Sequence, residues 1–277
     1  MAAVLALGGA LCWGVGDFLG GLAARRLAVV AVLVVSQAIG LAGLLVWVLA
    51  SQDAFPGVVE LLPAAAAGVA GLVGLGALYR GLAIGAMGIV APISAASPIV
   101  PLAVDASKGH VPSGLQWLGI ALVLTGIAIL SREPAGESRR RVAAGAGLAV
   151  FAALGFGLFV VGVDAGADES ATWAVVAARA GSVSVAVLAA LVLSTSLRPP
   201  RALLPTLIGV GVFDTGANVF VAAATTHGAA GIVAVLSALY PVVTVVLAWL
   251  VLGEKLSPAK RAGGAVALAG AACVAAG

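Results

Sequence analysis

The sequence predicts an all-α polytopic membrane protein, with ten transmembrane helices arranged as two inverted five-helix repeats. Three observations carry this. Of 277 residues, 62% are hydrophobic and only 9% are charged, whereas a soluble chain is about 25% charged. Long apolar runs recur, separated by short polar pieces. The second half of the chain also echoes the first. The mean hydropathy of +1.21 leaves too little polar surface to face water, which excludes a soluble enzyme, a nucleic-acid-binding domain and a disordered protein. The net charge of +3 therefore points to membrane orientation rather than to nucleic acid. Two cysteines in apolar runs, Cys12 and Cys273, imply neither a disulfide framework nor a zinc site.

A span needs about 20 mostly apolar residues. In order, the candidates are 2–21, 27–50, 61–84, 88–106, 115–131, 142–163, 172–194, 203–224, 229–252 and 259–277. Arg25-Arg26 ends the first, and Asp53 to Gly57 the second. A short junction, 84–88, separates the third and fourth. Ser107 to Pro112 follows the fourth, and the longest polar stretch, Arg132 to Arg141, follows the fifth. Asp164 to Ser170, Leu197 to Arg201, the short 225–229 junction and Gly253 to Pro258 separate the rest. Continuous runs rather than alternation exclude a β-barrel. The first span lacks a basic leader and a cleavage site and reads as retained.

The repeat is visible in residues. Gly85 to Ala95 matches Gly228 to Ala238 at an offset of 143, and Pro98 then falls on Pro241. Gly119 and Gly126 fall on Gly263 and Gly270 after one insertion. Gly14 to Phe18 resembles Gly155 to Phe159. The chain divides into repeats 1–138 and 139–277. An odd number of spans per repeat makes the copies enter the membrane in opposite senses, the design of secondary transporters. With ten spans, Arg25, Arg26, Arg80, Arg132, Arg139, Arg140, Arg141, Arg198, Arg201, Lys255, Lys260 and Arg261 fall on one side, and only Lys108 on the other. The basic side is cytoplasmic by the positive-inside rule, with both termini outside.

Ionised groups inside a bilayer are expensive, so the few present are candidates for function. Arg179 lies a third of the way along the seventh span and has Gln37 as its repeat counterpart. It is a candidate anchor for an anionic group; a structural ion pair is the competing reading. Asp214 and Asn218, four apart, share one helix face. Asp214 is the candidate proton-coupling group, with a salt bridge to Arg179 as the alternative. Asp17 is either a cavity carboxylate or a partner of Arg25 or Arg26. Pro98 and Pro241 each follow a serine by four residues, Ser94 and Ser237. They are expected to kink paired helices around a central cavity, with the serine hydroxyls repairing the backbone. Tyr79 and Tyr240 line a pocket or mark an interface.

No His-Glu-x-x-His, Gly-x-Ser-x-Gly or P-loop motif is present. No catalytic residue, metal or cofactor is expected. Gly14-x-Gly-Asp17 has the form of an intramembrane aspartyl protease motif, but there it follows the other aspartate, and here it comes first.

Val233 to Pro241, then Leu252-Gly253-Glu254-Lys255-Leu256-Ser257, then Gly263, Gly264 and Gly270 resemble the closing signature of an EamA domain, of the drug/metabolite transporter superfamily. Trp13-Gly14, Arg179 and Tyr79 to Ala83 fit the same resemblance. The resemblance covers the chain as two EamA repeats. It implies a ten-helix carrier of small metabolites, amino acids or drugs, often outward and without ATP, whose fifth and tenth helices are peripheral. Lys108-Gly109-His110 departs from the Leu-Gly-Glu of the second repeat. Several family members also keep their termini inside, against the charge count.

The expectation is thus a multi-pass permease of the inner or plasma membrane. It moves a small organic metabolite or drug-like solute by alternating access, with protons as the candidate coupling ion. The alternative is a non-transporting assembly or sensory subunit. Partners are the solute and the lipid bilayer, not nucleic acid; monomer and homodimer both fit.

Overall fold

A computed structural model describes residues 1–84, 93–130, 139–253 and 256–277. Among these residues it is entirely helical, without strands. The helices are α1 (Ala2–Ala24), α2 (Val29–Ser51), α3 (Val58–Ile84), α4 (Ile99–Ser107), α5 (Gly114–Leu130), α6 (Arg139–Ala167) and α7 (Ala171–Val192). A 3-10 turn, Arg201–Leu203, leads into α8 (Leu204–Thr225). Then come α9 (Ala230–Ser237), α10 (Tyr240–Leu252) and α11 (Pro258–Ala276).

Seven stretches among the described residues are long and apolar enough to cross a membrane, with α9 and α10 together forming one of them. The three other expected spans correspond to α4, α5 and α11. At 9 residues, α4 is only the later part of its span. At 17 residues, α5 is apolar but shorter than the seven. Lys260 and Arg261 dilute the start of α11. The segment 85–92 that carried the repeat motif, the connection 131–138, Glu254-Lys255 and the Tyr79 side chain lie outside the described residues.

Local chemistry sets the helix ends. Ser113 and Gln116 form a capping box at the start of α5: the Ser113 N–H donates to Gln116 Oε1 (2.9 Å) and the Gln116 N–H to Ser113 Oγ (3.2 Å). Ser170 and Ser257 cap α7 and α11 by accepting from the N–H groups of Trp173 and Lys260. Gly253 ends α10 at φ 69°, a left-handed conformation that glycine adopts without steric cost.

Packing is reciprocal between the halves. As α1 packs on α8, α6 packs on α3; as α2 packs on α8, α7 packs on α3; as α1 packs on α10, α6 packs on α4. Two further pairs, α2 with α7 and α5 with α11, join a helix to its own repeat counterpart. Lipid gives no hydrophobic drive for such contacts, so small residues that allow close approach supply the packing. On α5 and α11, a Cβ at Gly119 would sit 2.7 Å from Gly270 O, and one at Gly126 would sit 2.6 Å from Gly263 O.

The same geometry corrects one register. A Cβ on Gly14 would meet Val243 and Tyr240 O, and a Cβ on Gly157 would meet Val100 and Ser97 O. These positions are related by the offset of 143, so Gly157, not Gly155, is the counterpart of Gly14. The sequence favours Gly155 because Gly14-x-Gly16 overlies Gly155-x-Gly157, whereas the packed register sets Gly16 on Phe159.

The interruptions at Pro98 and Pro241 are breaks rather than kinks. Residues 95–98 form turns and α4 starts after Pro98. Pro241 occupies the first turn of α10, where its missing N–H has no helical acceptor to lose. Ser237 does not repair its own helix: its Oγ donates to Ala6 O on α1 at 3.3 Å. Ser94 is buried, and its carbonyl accepts from the Ser97 N–H at 3.2 Å.

Candidate functional site

The breaks and the glycine crossings leave a cavity of about 630 Å³ between the halves. Its wall takes residues from α1, α2, α3, α6, α7 and α8 and from the α9–α10 break. Asp17, Arg179, Asp214, Asn218, Ser237 and Tyr240 all line it, so it gathers most of the residues selected from the sequence. Pro98 is fully buried outside this lining, and Ser94 is not part of it.

Arg179 is 4% exposed on α7. Its Nη2 lies 2.6 Å from Asp214 Oδ2 on α8. The two charges touch, yet among the described residues neither Nη2 nor Nε of Arg179 makes a well-directed hydrogen bond. The guanidinium is therefore charge-paired but has donor capacity left. Asn218, 5% exposed, stands one turn beyond Asp214 on the same face.

Asp17 does not pair with Arg25 or Arg26; no ion pair to it exists among the described residues. It lines the cavity and lies within electrostatic reach of Asp214. Gly16 makes this possible, since α1 crosses α8 with the Gly16 Cβ position only 3.4 Å from Asp214 N. Trp13, one turn before Asp17, also lines the cavity and meets Tyr240 edge to face, with centroids 6.3 Å apart.

Sequence reasoning missed three features. Gln37 and Ser182, both buried cavity residues, join α2 to α7, with Ser182 Oγ 2.5 Å from Gln37 Oε1. The sequence marks Gln37 only as the counterpart of Arg179. Asp105, 4% exposed, accepts the N–H of Gly231 at 2.6 Å and so caps α9 from α4. Lys108 Nζ lies 3.8 Å from Asp164 Oδ2 nearby. In the sequence Asp105 is only a charge near the end of the 88–106 span, and its partner is 126 residues away.

The cavity is lopsided. It extends to Ala24 and Val29, which flank Arg25-Arg26, and to Leu78, two residues before Arg80. Two positions of the second half that correspond to cavity-lining ones of the first are packed shut. Val175, the counterpart of Leu33, and Val221, the counterpart of Leu78, are both 0% exposed.

Two stretches of the chain, residues 1–132 and 143–276, match the EamA-like transporter family. The chain belongs to the EamA-like transporter family. It is thus a multi-pass membrane protein made of two EamA units, in a family of transporters rather than enzymes. A solved crystal structure, whose description names no activity, has the same fold with a TM-score of 0.81 and 17% identity. The match covers 98% of this chain and 95% of that one. No curated protein matches. Family membership bears out the resemblance read from Val233 to Pro241 and the glycines that follow.

Proposed function

We propose that this EamA protein is a secondary transporter of a small organic solute, working by alternating access with proton coupling. One observation carries the reading: a single cavity between the two halves collects Asp17, Arg179, Asp214 and Asn218. A volume of about 630 Å³ falls in the range of small-molecule sites. The reciprocal packing of the halves 1–138 and 139–277 supports ten spans as two inverted repeats. In such a design each half can take the other's conformation. The lopsided cavity is then one of two end states, open toward the side that carries the basic loops. That side is cytoplasmic by the positive-inside rule, in the inner or plasma membrane.

The Arg179–Asp214 contact supplies a coupling device. Protonation of Asp214 removes the charge that holds Arg179, freeing the guanidinium to rearrange with the solute. Asp214→Asn in proteoliposomes tests it. Flux driven by a pH gradient is expected to vanish while solute counterflow persists. Unchanged pH-driven flux would sink the coupling role. Absence of counterflow for every solute in a broad metabolite panel would favour the non-transporting alternative.

A further inference from the structure

The charge inside the cavity does not balance. Among the described residues, three charged side chains line it: Asp17, Arg179 and Asp214. Arg179 is committed to Asp214 by the 2.6 Å contact. Asp17 lies within electrostatic reach of Asp214 and has no basic group within ion-pair distance among the described residues. With both carboxylates ionised the site carries one surplus negative charge, on the Asp17 side chain that is exposed to the cavity and open to a solute.

The surroundings of Asp17 suit a particular counter-charge. Trp13 lies four residues earlier on the same helix face, and its ring meets Tyr240 at 77°. An aromatic wall beside a carboxylate is a recognition pattern for organic ammonium groups. Independently, Arg179 of the same wall has its Nε buried without a hydrogen-bond partner among the described residues. A buried unsatisfied donor calls for an acceptor.

We propose that the cavity takes an organic monocation. Its ammonium head pairs with Asp17, its apolar body lies against Trp13 and Tyr240, and the Arg179 guanidinium, turned toward the solute, donates to a neutral oxygen of it. The proposal rests on reading this cavity as the solute site. The charge count discriminates among classes. A monocation brings the site to neutrality. An anion adds to the surplus. A zwitterion sets its carboxylate against Asp214 for one guanidinium and leaves the surplus in place.

A matched probe series tests it: phenethylamine, phenylalaninamide, phenylalanine, 3-phenylpropionate and 2-phenylethanol. Binding is measured by calorimetry on the purified full chain in detergent. The amine and the amide are expected to bind at least tenfold tighter than the zwitterion, anion or alcohol, with the amide the tighter of the two. Asp17→Asn is expected to lose at least tenfold in affinity for both cations, Asp17→Glu to keep most of it, and Glu169→Gln, at an exposed loop, to match wild type. Tightest binding of the zwitterion or the anion overturns the proposal. So does cation binding unaffected by Asp17→Asn, or no binding by any probe. If Asp17→Asn does not fold, the wild-type ranking decides alone. Cation binding without counterflow in liposomes leaves the proposal standing and removes the transporter reading. Counterflow of other solutes with no cation preference does the reverse.

Discussion

Separating the two charges of the Arg179–Asp214 pair should cost more than removing both. Asp214→Asn leaves a guanidinium whose side chain is only 5% exposed without its counter-charge, while Asp214 itself is 33% exposed to the cavity. Breaking a fully buried pair costs about 3–5 kcal/mol. Water reaching Asp214 lowers that here, so about 2–3 kcal/mol is expected for Asp214→Asn. At about 2–4 °C per kcal/mol for chains of this order of size, the midpoint should fall by about 4–12 °C. Arg179→Gln strands the opposite charge at the more hydrated position and should cost less. The double variant holds two neutral amides and should melt above Asp214→Asn alone. Cys12 and Cys273, both partly buried in helices, offer the assay: a thiol-reactive fluorophore reports their exposure on heating. Losses that simply add in the double variant, or an Asp214→Asn midpoint equal to wild type, would refute the pairing argument.

Three further outcomes are expected. Gly126→Ala drives a methyl to 2.6 Å from Gly263 O and 2.7 Å from Ala267 Cα, costing about 1–3 kcal/mol by overpacking. Gly43→Ala, with nothing within 4 Å, should instead gain up to about 1 kcal/mol of helix propensity; equal melting of the two would refute the crossing. Asp105→Leu deprives the buried Gly231 N–H of its acceptor and should destabilise by about 1–3 kcal/mol, whereas Asp105→Asn, which keeps an oxygen, should lose less; the midpoints of the two variants check this. Ser182→Ala leaves Gln37 Oε1 buried without its donor, for a loss of about 1–2 kcal/mol; a wild-type melting curve would show that the Gln37 contact contributes nothing.

Much of this was legible in the sequence, because a bilayer imposes strong one-dimensional constraints. Apolar length places helices, and the cost of burying charge shortens the list of candidates until Asp17, Arg179 and Asp214 stand out. That these three share one cavity follows from close helix crossings, at Gly16 between α1 and α8 and at Gly40 and Gly211 between α2 and α8, where a Cβ on Gly40 would sit 3.1 Å from Gly211 O, and no local pattern reveals them. The two readings of Asp17 stay open in the sequence for the same reason: Arg25 and Arg26 are near along the chain, but Asp17 lines the cavity beside α8. Ser-x-x-x-Pro marked the right places in α9–α10 and before α4. Proline chemistry alone does not separate a kink from a break. That depends on what the neighbouring helix offers, here the Ala6 carbonyl that holds Ser237. Asp105 escaped because a cap supplied from another helix leaves no local signature.

The helix pairs α2–α7 and α5–α11 set each repeat against its own counterpart. Such contacts are isologous, the kind two copies of one chain make about a dyad. Each half therefore carries a face already complementary to its twin, with glycines of α5 answering glycines of α11. The covalent link between the halves then fixes stoichiometry and lets the two copies diverge, as Gln37 and Arg179 have done. The assembly itself is written into the faces. Fragments 1–138 and 139–277 produced as separate chains should find one another in the membrane, with the charged pair still divided between helices of the second fragment and the Gln37 acceptor of Ser182 supplied by the first.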